Sequence, residues 1–300
     1  MANTKLIKTK IKSVHNLQKI IKALEIVSTV KLQKLKQRTL NFRGFMKQFL
    51  GVLYAIKDHI DIFDENNQTN KDTKNSFGRR LIILVTTDKG LCGSLNSKLI
   101  KHLQEKYGTI KEAKENVDIF VIGKKGLDFF VGAGWNVVGT CHIKDNFVEN
   151  DLNSVFVYIK QAIKENRYAK IKIYFNYFKN VVMQVPLRFK LYPLDQESFD
   201  AFLENIDKKL DNIALVPNNN LLLEPDPKTY AKSLIEDIVH HIVYYAVLNN
   251  KTSEQASRML AMKNAKDNCG EIVSGLQTVY NKTRQQKITQ EISEIVSGSL

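Results

Sequence analysis

The sequence predicts an α/β protein in which a long antiparallel coiled coil, formed by helices at the two chain ends, is joined to a central α/β domain. Helical sequence runs from Lys5 to about Asp58 and again from Tyr230 to about Val296, and the residues between alternate strand-like and helix-like segments. At 1.5 Å per residue the two helices extend roughly 80 Å and 100 Å. A compact protein of 300 residues is only about 50 Å across, so the helices must project beyond any core.

These signals divide the chain into four segments. Residues 1–60 are the N-terminal coiled-coil helix, 61–78 a linker, 79–224 the central domain and 225–300 the C-terminal coiled-coil helix. The linker is polar, rich in Asn and without an apolar period, which is typical of a surface connection.

Both terminal helices carry apolar residues at mostly alternating steps of three and four, the spacing of a narrow coiled-coil seam. In the first helix the seam contains Ile7, Ile11, Val14, Leu17, Ile21, Leu24, Val27 or Ser28, and Leu35. In the last helix it contains Ile235, Ile238, Ile242, Tyr245, Met259, Met262, Cys269, Ile272, Leu276, Val279, Ile288, Ile292 and Ile295. Antiparallel pairing of the two ends is the simplest way to bury both seams, although two separate homodimeric coils would bury them equally well.

The central segment reads as strands that alternate with helices. The predicted strands are Leu81–Val85, Val117–Ile122, Trp135–Val138, Ile171–Phe178 and Val181–Tyr192, and the predicted helices are Asn96–Lys106, Leu127–Val131 and Asn150–Asn166. Such alternation favours a partly parallel sheet with helices on its faces, which is a Rossmann-like α/β domain.

Composition indicates an ordinary folded protein, with 43% hydrophobic and 25% charged residues. The sequence contains neither a spanning apolar run nor a signal-peptide pattern. Its three cysteines, Cys92, Cys141 and Cys269, lie far apart without a metal-ligand spacing, which fits a reducing compartment.

The formal net charge of +14 is concentrated in the first helix. Residues 1–60 hold thirteen Lys or Arg against Glu25 and Asp58, whereas 230–296 hold eight basic and seven acidic side chains. A polyanion partner or a solvated helix face would each explain this bias. Because no aromatic residue lies between Lys5 and Leu40, the sequence lacks the stacking groups of most nucleic-acid modules.

No catalytic constellation emerges from the residues. The turn Asp88–Ser94 follows a strand and opens a helix, but it lacks the glycine and lysine pattern of a phosphate cradle. Cys92 has no His or carboxylate at a recognisable partner spacing. His240 and His241 are adjacent on the last helix without a third ligand nearby in the sequence. We therefore predict no catalytic residue, no cofactor and no metal site.

Several segments resemble, in chain order, the gamma subunit of rotary F-type ATP synthases. They are Asn16–Val27, Thr87–Asn96, Glu224–Pro227, Ser257–Ala265 and the tail Tyr280–Gly298. The tail is the most specific match, with its Ile-Thr-x-Glu sequence, an acid three residues later and a small-residue ending.

The resemblance implies a non-catalytic central rotor stalk that couples transmembrane proton flow to ATP synthesis or hydrolysis. Its partners would be three alpha and three beta subunits, the epsilon subunit and the membrane c-ring, with no nucleic acid. It would lie at the cytoplasmic face of a bacterial cell membrane as a peripheral protein, attached to the membrane through the complex only.

The resemblance also implies the residues that contact the alpha/beta ring. These are Arg284, Gln285, Thr289 and Glu291 on the last helix, and Lys19, Lys22, Leu24, Lys31 and Lys34 on the first. The alternatives are a rotor that is not coupled to a conventional proton ring, a basic coiled-coil nucleic-acid-binding protein, and a nucleotide-using enzyme.

Overall fold

A computed structural model describes most of the chain. The described residues are 2–56, 78–107, 116–195, 197–198, 200, 202 and 227–298. Along them lie α1 (Ala2–Ile56), β1 (Arg80–Val85), α2 (Leu95–Tyr107), β2 (Val117–Ile122), α3 (Lys124–Gly132), β3 (Asn136–Cys141), a 3₁₀ helix (Glu149–Leu152), α4 (Asn153–Lys164), β4 (Lys170–Phe178), β5 (Gln184–Tyr192) and α5 (Pro227–Gly298). The predicted linker, apart from Gly78, and the Glu224–Asp226 motif lie outside this part of the chain, so the domain boundaries placed there stay predictions.

The five strands form one sheet in the order β3-β2-β1-β4-β5. All neighbours are parallel except β4 and β5, which are antiparallel. Every β2 side chain and Leu81–Val85 of β1 are buried, the pattern of strands covered on both faces. The predicted α/β class with a partly parallel central sheet is therefore confirmed.

Alternating strand residues supply a hydrophobic core on each face of the sheet. Leu81, Ile83 and Val85 point into the larger core, where residues of α4 and of the long helices also pack. Ile82 and Leu84 point into the second core, which contains residues of α2 and α3.

Some predicted element boundaries are shifted. Helix α3 begins at Lys124 rather than Leu127, directly after Gly123 at a φ of +103°. Strand β5 begins at Gln184 rather than Val181, because the Asn180 side chain accepts hydrogen bonds from the backbone amides of Val182 and Met183 and closes a turn there.

The chain divides into two compact units, and the division falls inside both long helices. Unit 1 combines Met1–Lys31 with Arg258–Leu300, and unit 2 is Leu32–Ser257. The two units differ in what covers the long helices. In unit 2 the helices pack beside the sheet, whereas in unit 1 they pack on each other.

The helix pair of unit 1 is antiparallel. Gln18 Nε2 donates to the carbonyl oxygen of Lys266 and lies close to Gly270, whereas Lys266 Nζ donates to Glu25 at 2.8 Å. A later residue of α1 thus contacts an earlier residue of α5. Ile21, Met262 and Cys269 form the buried centre, with Val14, Leu24, Ala261 and Ala265 around it. The predicted packing of the two chain ends on each other is confirmed.

The seam of α1 differs in detail from the predicted one. The less exposed positions of unit 1 include Gln18, Glu25 and Ser28. Leu17, a predicted seam residue, is 49% exposed, and of the two alternatives predicted for a later position Ser28 lies in the seam whereas Val27 is 49% exposed. The steps of three and four are retained but pass through polar residues. Gln18 and Glu25 make hydrogen bonds across the pair, which is why an apolar count misplaced the seam by one residue.

The seam of α5 also differs. Its less exposed positions include the predicted residues Met259, Met262, Cys269 and Leu276, together with Lys266, Val273, Tyr280, Thr283 and Lys287. Five predicted seam residues, Ile272, Val279, Ile288, Ile292 and Ile295, are instead 47–71% exposed. Ile238, Ile242 and Tyr245 are buried in the larger core of unit 2, where residues of the sheet and of the second half of α1 also pack.

A buried polar stretch occupies α5 just before unit 2 ends. Asn249–Gln255 is polar throughout, yet every residue in it is at most 3% exposed. Asn250 bonds Asn176 on β4 and the Thr86 carbonyl, Lys251 donates to the Ile143 carbonyl, and Thr252 bonds Thr39 on α1. Buried polar groups are stable only when paired in this way. The stretch explains why the apolar pattern of the last helix is interrupted after Tyr245.

Candidate partner-binding surface

The outer surface of α1 in unit 1 has two different flanks, one on each side of its seam. Seam positions Ile7, Ile11, Val14, Gln18, Ile21, Glu25 and Ser28 follow steps of four and three. Since neighbouring residues on an α-helix are about 100° apart, the residues just before and just after each seam position form separate rows.

The row before the seam is mainly apolar. Leu6, Leu17, Ile20 and Val27 are each about half exposed, and Leu24 of the same row is half-buried against the Ile21 cluster. We call this row the apolar flank. Lys10 and Ser13 interrupt this row, so its uninterrupted apolar part runs from Leu17 to Val27. Large exposed apolar side chains in such a row are typical of a surface that another protein covers.

The row after the seam is mainly basic. It contains Lys8, Lys12, His15, Lys19 and Lys22, all exposed, followed by Ile26. We call this row the basic flank. Glu25, the acidic residue of this part of α1, is bonded to Lys266, and this hydrogen bond raises the pKa of Lys266. Because Glu25 is bonded to Lys266, its carboxylate does not neutralise the lysines of the basic flank.

The structure places the predicted contact residues on different parts of the surface. On α1, Lys19 and Lys22 lie together on the basic flank and Leu24 beside the seam. Lys31 is half-buried at the end of the unit 1 stretch, and Lys34 is exposed in unit 2.

The predicted contact residues of α5 lie near its end. Arg284, Gln285, Thr289 and Glu291 are all exposed. Thr289 donates to the Gln285 carbonyl oxygen within the helix, and Glu291 pairs with Lys287 at 3.1 Å. Their side chains are available for a partner, and the exposed isoleucines of the tail, from Ile288 to Ile295, lie among them. Their apolar spacing predicts seam residues, so these isoleucines were not predicted as surface residues.

The turn that follows β1 is used for folding. Ser257 of α5 donates to the Cys92 carbonyl oxygen at 2.6 Å, and Lys251 Nζ lies 3.3 Å from Asp88. Asn96 donates to Thr87 Oγ1 at 2.7 Å. The turn, which follows a strand as a phosphate cradle would, thus docks on α5 through its own polar groups.

Comparison with known proteins is decisive for the family. The model of a protein family described as ATP synthase matches residues 3–300. The ATP synthase gamma chain of Histophilus somni (strain 129Pt) is 36% identical over 301 residues, which is 100% of this chain and 99% of that protein. This chain belongs to the ATP synthase gamma-chain family.

Solved structures show the same fold. A chain of the Euglena gracilis mitochondrial ATP synthase, in an OSCP/F1/c-ring structure in rotational state 3, matches with a TM-score of 0.67 at 19% identity, covering 98% of this chain and 92% of that one. A chain of the Tetrahymena thermophila mitochondrial ATP synthase central stalk/c-ring structure matches with a TM-score of 0.56 at 23% identity, covering 82% of this chain and 99% of that one. None of the helices in the described part of the gamma-family chain has the length and apolar content of a membrane span.

Proposed function

We propose that this chain is the central rotor stalk of an F-type ATP synthase, and that it couples transmembrane proton flow to ATP synthesis or hydrolysis by rotating inside a ring of alpha and beta subunits. The full-length match to gamma chains carries this proposal. The antiparallel helix pair of unit 1 supports it, because it is a long element with exposed side chains on its outer surface. The chain itself takes no part in the chemistry of ATP.

The two flanks of α1 suggest how such a stalk would act. A helix pair with an apolar row and a basic row presents a different surface in each direction, so three equivalent sites around it cannot all make the same contacts. A change of about 10⁴-fold in nucleotide affinity requires contacts that differ by about 5.5 kcal/mol between states. Several apolar and charged contacts along the flanks are enough to supply this difference.

Within this proposal the ring contacts are the residues that the family resemblance indicated. Lys19, Lys22, Lys31 and Lys34 would pass acidic segments of the beta subunits. Leu24, which lies on the other side of the seam from Lys19 and Lys22, would make an apolar contact with the ring. Arg284, Gln285, Thr289 and Glu291 would meet the loops of the ring that grip the stalk. Exposure of Lys19, Lys22 and the four α5 residues supports the assignment.

The wider assembly follows from the same proposal. The chain would bind three alpha and three beta subunits and the epsilon subunit, and it would dock on the c-ring. It would lie at the cytoplasmic face of a bacterial cell membrane and be held there by the complex.

Single-molecule rotation tests the proposal directly. Lys98 is exposed on α2, and the three native cysteines are buried, so a Lys98→Cys variant offers one accessible thiol for a bead. Assembled with its own alpha and beta subunits on a surface, the labelled chain should turn the bead in one direction while ATP is hydrolysed. A complex that hydrolyses ATP with a stationary bead would contradict the rotor assignment.

Truncation provides the second arm. Removing residues 1–30 together with 270–300 deletes most of the helix pair of unit 1. We expect complexes that contain the truncated chain to generate no torque on the bead, whereas complexes that contain the full-length chain, assembled with the same alpha and beta subunits, rotate it. Rotation and ATPase rates that stay unchanged would show that the paired ends are not the element that transmits force.

A further inference from the structure

Two histidines and a glutamate from distant parts of the chain meet in unit 2. Glu149 begins the 3₁₀ helix after β3, and His240 and His241 are neighbours on α5. One ligand atom from each of the three side chains lies within 4.8 Å of the other two. The sequence positions of the histidine pair indicate no third ligand, because Glu149 approaches only when α5 packs beside the 3₁₀ helix.

The spacing fits a small metal ion. His240 Nε2 lies 3.4 Å from Glu149 Oε1. Two ligand atoms on a tetrahedral Zn²⁺, with bonds of about 2.0–2.1 Å, lie about 3.3 Å apart. This pair is thus already at the separation that a shared ion would impose, and the His241 ligand atom lies within 4.8 Å of both.

The chemistry of the donor set is also suitable. Two imidazoles and one carboxylate bind Zn²⁺ well and leave one coordination position for water. Glu149 is exposed and the two histidines are half-buried, so an ion can enter from solvent. Among the ion pairs of the described residues, Glu149 pairs with His240 and with no Lys or Arg that would compete for the carboxylate.

Packing holds both imidazole rings in place. Phe156 of α4 meets the His240 ring edge to face with centroids 3.7 Å apart, and Phe45 and Phe49 of α1 meet the His241 ring at 5.1 and 4.9 Å. His241 Nδ1 is buried and has no hydrogen-bond partner in the structure. A buried ring nitrogen without a partner is costly, and the Nδ1 atom of His241 is not committed to a hydrogen bond of the fold.

We propose that Glu149, His240 and His241 form a binding site for a divalent transition-metal ion, with Zn²⁺ as the ion that the donor set fits best. The bound ion fastens the 3₁₀ helix to α5. Because α5 continues into unit 1, the site would brace the sheet-packed part of the proposed rotor helix. The three residues of the site are not among those assigned to the ring, so the metal-site proposal can be tested independently of the rotor function.

Metal binding to the full-length chain tests the proposal. After treatment with a chelator, the purified protein is titrated with Zn²⁺ and followed by calorimetry. We expect saturable binding of one ion per chain. Glu149→Gln and His240→Ala should each weaken binding at least tenfold. His142→Ala, which changes an exposed histidine paired with Asp88, is the matched control and should bind like the parent chain.

Cobalt distinguishes this site from the cysteines. Co²⁺ bound by two imidazoles and a carboxylate in tetrahedral geometry gives visible d–d bands without the thiolate charge-transfer band of a cysteine ligand. Glu149 is on the surface, so Glu149→Gln should unfold at the same temperature as the parent without metal, and it should lose the rise in that temperature that Zn²⁺ causes in the parent. A thiolate band, binding unaffected by Glu149→Gln, or no saturable binding would each overturn the proposal.

Discussion

Gly123 is a residue that the fold leaves no room to replace. Its φ is +103°, and an added Cβ would lie 2.4 Å from the Thr86 carbonyl oxygen. Backbone strain and the clash together should make Gly123→Ala lose at least about 3 kcal/mol of unfolding free energy. Gly44 is the control: it lies inside α1 with no atom within 4 Å of an added Cβ, so Gly44→Ala should gain about 0.5–1 kcal/mol. Urea unfolding measures both, and equal effects would contradict this account.

Lys172 on β4 has a lowered pKa, which makes the stability of the protein depend on pH. Burial lowers its pKa to about 8, and the nearby charges of Arg188, Lys106, Lys170 and Arg80 act in the same direction. A lysine whose pKa is lower in the folded than in the unfolded state destabilises the fold while it is charged, and this penalty fades as pH rises from about 8 towards 10.4.

The variant Lys172→Met should therefore be more stable than the parent at pH 7. We expect a gain of about 0.5–1 kcal/mol, because the half-exposed site lets solvent screen part of the repulsion. The gain should shrink between pH 8 and pH 10 in urea titrations. Lys98→Met, on the exposed surface of α2, controls for the loss of one positive charge. A gain of the same size at pH 10 would show that the charge of Lys172 is not its cause.

At the scale of elements, substitutions at two neighbouring isoleucines of α1 distinguish an effect on folding from an effect on partner binding. Ile21 is 9% exposed in the seam, and Ile20 is 59% exposed on the apolar flank. Ile21→Ala should cost about 2–3 kcal/mol of unfolding free energy by leaving a cavity. Ile20→Ala should change stability by less than about 0.5 kcal/mol but weaken assembly with the alpha/beta ring. Circular dichroism during urea unfolding and pull-down with the ring report the two effects, and the reverse ranking would refute the seam described here.

The elements also show what sequence can and cannot predict. Strand β2 and the two long helices were predictable, because continuous apolar runs and steps of three and four leave few alternatives. Most of the α1 seam was predictable as well, but Gln18 and Glu25 were not, because they are polar residues at positions where an apolar residue is expected. Apolar periodicity cannot identify a polar seam residue, because the hydrogen bond that allows it to be buried is made to a helix more than two hundred residues away in the sequence.

The candidate sites follow the same division. Lys19 and Arg284 are exposed. Their assignment to a partner surface rests on family motifs and stays a prediction, because apolar periodicity carries no information on partners. The meeting of Glu149 with His240 could not be read from the chain, since three-dimensional packing alone brings them together.

At the scale of the whole molecule, the positive charge of the basic flank favours a partner with an acidic surface. The basic flank should speed association with an acidic ring at low salt, because long-range attraction steers encounters. Replacing its lysines with Gln should slow association by about tenfold at low ionic strength and remove most of its salt dependence. The four replaced residues are Lys8, Lys12, Lys19 and Lys22.

A control with the same loss of charge isolates the position of the charges. Stopped-flow association with the alpha/beta ring is compared for the flank variant and for a variant with four exposed lysines of unit 2 replaced. The control residues are Lys98, Lys101, Lys125 and Lys164. If both variants slow equally, net charge rather than the basic flank governs assembly.

The buried polar stretch Asn249–Gln255 has a mechanical consequence. Apolar packing is non-directional, so a helix held by it alone can twist slightly about its own axis at little cost. Hydrogen bonds weaken steeply with misalignment. Asn250 and Lys251 are bonded to the backbone carbonyls of Thr86 and Ile143, so rotation of α5 about its own axis on the sheet would misalign these bonds. These bonds would therefore resist a torque that tends to rotate this helix relative to the sheet.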